Sequence, residues 1–156
     1  MLKYCLKKWD MFNKNLEDAL REDKNLNCCE YKYLLEKVVE HILNGEVGEF
    51  SHDEKWDISR ITVIDDGHYQ GTLLFVIPRL CYLPSEYEYL MTFVNYGSCS
   101  GCDTLQRIQA WFDNEPPTEQ QLKDYMALCR DMVCNIVRPY NTGWRCDEEF
   151  KTVEEE

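Results

Sequence analysis

The chain has 156 residues, 44% hydrophobic and 13% aromatic, which is enough for one domain with a substantial core and too apolar for wholesale disorder. Its formal charge of −12 repels nucleic acid and anionic membrane surfaces, so direct binding to either is excluded as a default. No stretch of about 18 apolar residues offers a transmembrane helix, and the first ten residues lack the apolar run of an export signal, so a cytoplasmic protein is expected.

Residues 1–12 mix bulky apolar groups with lysines and read as a short strand or a docking arm. Residues 16–26 permit a short helix. Over 29–44 the pattern is stronger: Tyr31, Leu34, Leu35, Val38, Val39, Ile42 and Leu43 recur at three- and four-residue spacing, one apolar helical face. Asn44-Gly45 follows as a stop, with a glycine able to take positive φ. After a polar, irregular stretch, residues 58–65 alternate, with Ile61 and Val63 on one face and Thr62 and Ile64 on the other. Asp66-Gly67 is a hairpin signal. Residues 72–77 are apolar on both faces and predict a central strand ended by Pro78. Residues 86–96 predict a third strand, with Tyr89, Met91 and Phe93 facing one way and Leu90, Val94 and Tyr96 the other.

A helix is expected over about 100–112, burying Leu105, Ile108 and Phe112, before the break at Asp113 to Pro117. Thr118 and Gln121 form a capping-box pair for a last helix with Leu122, Tyr125, Met126, Cys129, Val133 and Ile136 as its stripe, stopped by Pro139. From Asp147 the chain carries six acids against one lysine, a solvated tail. The predicted organisation is a single α+β domain over 1–146, a three-stranded antiparallel meander flanked by helices on its N- and C-terminal sides, with an acidic tail over 147–156.

Nine cysteines without an export signal read as free thiols. Cys129 and Cys134, inside an apolar helix, are expected to pack as small core residues, and at least one of the adjacent Cys28 and Cys29 should do the same. His41 beside the second helix's apolar stripe reads as a flank or partly buried residue, and His52 as solvated.

The run from Tyr96 through Gly97, Ser98, Cys99, Ser100, Gly101 and Cys102 to Asp103 gathers two thiols, two hydroxyls and a carboxylate where a strand turns into a helix. Simple up-down connections place it at the same end of the sheet as Asp65, Asp66, His68, Tyr69 and Gln70. Convergent polar groups of this kind make a candidate site. Three readings compete. Cys99, Cys102 and His68, with Asp65, Asp66 or Asp103, would complete a tetrahedral zinc shell, although a second Cys pair is missing. Alternatively Cys99 is an exposed nucleophile at a helix start and Cys102 resolves it. In the structural reading, the glycines permit a tight turn, Ser98 or Ser100 caps the helix, and the thiols pack beneath it.

Residues about 56–140 resemble a small family found in phages and prophage-like regions of bacteria. The resemblance lies in Trp56-Asp57, in residues 61–67 (ITVIDDG) and 69–72 (YQGT), in residues 96–106, and in residues 117–121 (PTEQQ) leading into 125–129 (YMALC). It does not cover the first 27 residues and carries no activity. What it implies is an accessory protein of a virus or mobile element acting inside a bacterial host cell.

Two functional expectations follow. The first is a non-enzymatic acidic interaction protein with a protein partner. In a narrower form its charge competes with nucleic acid for a basic nucleic-acid-binding (defence) complex. The alternative is a thiol- or zinc-dependent enzyme or metal-binding protein centred on Cys99, Cys102 and His68.

Overall fold

A computed structural model describes residues 1–46, 54–109 and 114–139. His52, Phe112, Cys146 and the acidic tail lie outside the described residues. The fold is α+β. Helices α1 (Leu2–Arg21) and α2 (Tyr31–Val38) precede strands β1 (Thr62–Asp65), β2 (Gly71–Pro78) and β3 (Tyr89–Tyr96), and helices α3 (Thr104–Ile108) and α4 (Glu119–Cys134) follow them. The sheet is antiparallel in the order β1-β2-β3, the expected meander.

The first 21 residues correct the sequence reading, being one amphipathic helix rather than a strand or arm followed by a short helix. Cys5, Lys8, Trp9, Phe12, Leu16 and Leu20 form its buried stripe. The helix lacks a side-chain N-cap and first-turn acids, and a lysine occupies a core position, so the usual start signals are missing. Lys8 is fully buried because its ammonium donates to Leu43 O at 3.0 Å and Gly45 O at 2.8 Å. It also lies 5.5 Å from the centre of the Phe12 ring. Carbonyls at the end of a helix attract a cation, so Lys8 fastens α1 to the end of the α2 segment.

That segment continues past Val38 as a π turn over Val39–Leu43, with Asn44 N donating to Val39 O at 2.8 Å. Gly45 follows, but not in a left-handed conformation; its demand is proximity, since a Cβ there would sit 2.7 Å from the Phe12 ring. Asn44 then joins the helices to the sheet. Its side chain accepts from Trp56 N at 2.8 Å and donates to Trp56 O at 2.9 Å. Trp56 in turn bridges to Arg79, just past β2.

Strand β1 is shorter than the alternating run suggested. Ile58–Arg60 is a 3-10 turn held by Asp57, which accepts from Ser59 N at 3.0 Å, and Ile61 is buried just before the strand. One face of the sheet, with Phe75, Ile77, Leu90, Thr92 and Val94, is buried. Helix α4 covers part of it, with Thr92 Oγ1 donating to Met132 O at 2.7 Å, and beyond the helix Val137 exchanges backbone hydrogen bonds of 2.8 Å with Met91. The capping box at Thr118 and Gln121 is present as read. Tyr125 sits at the centre of the helical core and donates to Leu26 O at 3.0 Å.

Among the thiols, Cys129 and Cys5 are buried, Cys29 is half-buried and Cys28 is exposed. Cys134 is exposed, contrary to expectation. It lies five residues beyond Cys129, which turns it about 140° off the buried stripe. His41 is half-buried beside Glu40.

Gly45→Ala tests the α1–α2 junction. The added methyl meets the Phe12 ring inside a packed core, so overpacking should cost about 1–3 kcal/mol in urea-induced unfolding. Unchanged stability would mean that Phe12 is not held where it is described.

Candidate functional site

Strand register brings the two polar segments together. Gly71 pairs with Tyr96, so the turn after β1 and the run after β3 emerge at one end of the sheet. The Tyr96 hydroxyl donates to Asp65 Oδ1 at 2.7 Å, closing the gap across the central strand.

The β1–β2 turn spans residues 66–70 and is wider than a two-residue hairpin loop. Its carboxylates are spent on the turn itself. Asp65 Oδ1 also accepts from Gly67 N at 3.0 Å, and Asp66 Oδ1 accepts from Thr72 N at 2.6 Å. Gly67 is required by close approach: a Cβ would lie 2.2 Å from Gln70 O. His68, Tyr69 and Gln70 are left exposed at the tip, Tyr69 with 84% of its surface accessible. The hydrogen bonds from Gly67 N and the Tyr96 hydroxyl hold the Asp65 carboxyl below its usual range. The same contact with a carboxylate pushes the Tyr96 phenol up to about 12.

On the other segment, Asp103 does not reach the rim. It is 3% exposed, and its carboxylate accepts from Gly97 N at 3.0 Å, Gln106 N at 2.8 Å and the Tyr31 hydroxyl at 3.1 Å. Asp103 is therefore the N-cap of α3, in place of Ser98 or Ser100, and α3 is one short turn that starts at Thr104. Serine does not serve as cap because residues 99–103 close a turn of their own first, with Cys102 N and Asp103 N donating to Cys99 O at 3.0 and 2.8 Å, and the helix starts only after the extended Asp103.

This clamp leaves the intervening loop facing solvent. Ser98, Cys99, Ser100, Gly101 and Cys102 are all exposed, so the thiols do not pack beneath the helix. Cys99 Sγ and Cys102 Sγ lie 3.3 Å apart, with Ser98 Oγ 3.9 Å from Cys102 Sγ. Hydrogen bonds from Cys99, and secondarily from Ser98, lower the Cys102 pKa. The cause is local hydrogen bonding rather than a helix terminus.

For a zinc shell the two thiols stand ready, but Asp103 is turned inward and Asp65 is engaged by Gly67 and Tyr96. Among the described residues no group of three or more His, Cys, Asp or Glu side chains is gathered as for a metal ion. Two thiolates alone leave a tetrahedral shell two ligands short.

Sequence reasoning missed Tyr31 and the packing role of Gly97. The buried Tyr31 hydroxyl donates to Asp103 and accepts from Leu105 N at 3.1 Å, from a helix 72 positions upstream. Nothing in the sequence distinguishes it from the apolar stripe it belongs to. Gly97 lies directly under Cys102, where a Cβ would come within 2.5 Å of Sγ. A shallow, open depression of ≈ 320 Å³ beside Cys28, Cys29 and Tyr33 shares no lining residue with the rim.

No protein-family model, curated protein or solved structure matches this chain.

The contact between Tyr96 and Asp65 has a direct readout. Because the folded-state pKa of Asp65 is depressed, the contact favours the fold above the ordinary carboxylate range of about 3.9 and is lost as pH falls through the depressed value. Tyr96→Phe should raise the Asp65 pKa part of the way back, with Gly67 N still donating, in a carboxyl NMR titration. An unmoved Asp65 titration would show that the two segments are not in contact.

Proposed function

We propose that this chain is a non-enzymatic acidic interaction protein of phage or mobile-element type, acting inside a bacterial cell on a protein partner. One observation carries the reading. Ile64, Leu74 and Phe93 pair across β1, β2 and β3 and form an apolar row on the sheet face opposite the core. Ile64 is 51% and Phe93 41% exposed. The next row toward the rim is polar, Asp66, Thr72 and Asn95, with Thr72 Oγ1 donating to Asn95 Oδ1 at 3.0 Å. An accessible apolar strip bordered by polar and acidic groups has the anatomy of a protein interface.

The charge narrows the partner class. A surface of net −12 steers toward basic proteins, so a nucleic-acid-binding defence complex whose basic channel is occupied in place of nucleic acid is the favoured partner. Among the described residues no helix is long and apolar enough to cross a membrane.

The test sets the full chain beside an Ile64→Ser/Phe93→Ser double variant. Both are immobilised in a bacterial host extract, and each retained protein is then titrated between about 50 and about 500 mM salt. The reading expects a basic partner whose affinity falls with salt and is at least about tenfold weaker for the double variant. Equal binding by the variant would remove the sheet face from the interface, and affinity indifferent to salt would remove charge mimicry.

A further inference from the structure

We propose that Cys99 and Cys102 form a redox-active dithiol that exchanges with low-molecular-weight disulfides. Three features converge on this site. The sulfurs are already 3.3 Å apart, so a bond of about 2.05 Å needs a closing movement of only about 1.3 Å. Both thiols are exposed, whereas Cys5 and Cys129 are buried. Finally, the loop that carries them is held at both ends. Asp103 binds Gly97 N at one end and Gln106 N at the other, and Tyr31 braces the carboxylate from below. The loop is therefore constrained in the reduced state, and little further ordering is needed to bring the sulfurs together.

The contacts also assign an order of attack. In its thiol form Cys102 donates to Cys99 O at 3.4 Å, and once ionised it has Ser98 Oγ at 3.9 Å and Cys99 Sγ at 3.3 Å within reach as donors, so Cys102 enters first. Its sulfur attacks one sulfur of the small disulfide RSSR. A Cys102–SR mixed disulfide forms and RS⁻ leaves. Cys99 then gives up its proton and attacks the Cys102 sulfur. The Cys99–Cys102 bond forms and the second RS⁻ leaves. Two protein thiols are oxidised, one disulfide is reduced, and the two protons end on the departing thiolates. The inference does not depend on the sheet face binding a partner, because it uses none of that surface.

The test uses the full chain, reduced in the presence of a chelator, freed of reductant, and exposed to 2-hydroxyethyl disulfide, a neutral reagent that the negative charge of the protein does not repel. Remaining thiols are alkylated, and the peptide spanning Cys99 and Cys102 is read by mass spectrometry. The expected result is early loss of two of the nine alkylatable thiols, with that peptide two hydrogens lighter. The exposed Cys28 and Cys134 should react at least about tenfold more slowly. In Cys99→Ser the mixed disulfide on Cys102 should persist, and in Cys102→Ser its formation at Cys99 should be slower. Recovery of the peptide with both thiols alkylated, or its oxidation no faster than that of Cys28, would overturn the proposal.

Discussion

The buried carboxylate of Asp103 is the constraint from which the candidate site follows. A lone carboxylate removed from water is costly, and this one is tolerated because two backbone amides and a phenol surround it. Those donors come from three places: the end of β3, the first turn of α3, and the first residue of α2. One side chain thus fixes where the last strand stops, where the next helix begins, and how both sit against the N-terminal helices. The loop between Gly97 and Asp103 is left no inward direction, so its two thiols face solvent side by side.

A second polar group does the same work at the other end of the helical layer. Lys8 reaches the carbonyls of Leu43 and Gly45, and Asn44 between them turns its amide to Trp56. Polar residues therefore specify the two joints between helices and sheet, and apolar burial supplies the bulk of the packing. Stapled in this way, the sheet buries one face and leaves the other carrying Ile64 and Phe93 beside an acidic turn. The proposed interface and the proposed dithiol are then two products of the same arrangement. One occupies the open face, the other its edge.

Much of this was legible in the sequence, and the failures have physical causes. The meander could be read because alternation and an apolar central strand set the order of the strands, and the register then brought Tyr96 to Asp65. The last helix was announced by its capping box. Helix α1 was obscured by Lys8, since a lysine in the middle of an apolar stripe looks like a break until its acceptors in a distant segment are known. The motif was read correctly as a turn but wrongly as to its cap, because Ser98, Ser100 and Asp103 are all competent caps and only the path of the chain chooses among them. Tyr31 could not have been found, because its partner lies across the core and nothing local marks it.

Asp103 fixes the loop that presents Cys99 and Cys102. Native-state amide hydrogen exchange in the parent chain and in Asp103→Ala tests it most directly. The Gly97 and Gln106 amides, protected in the parent, should exchange faster in the variant while the β2–β3 ladder keeps its protection. Unchanged protection at Gly97 and Gln106 would contradict it.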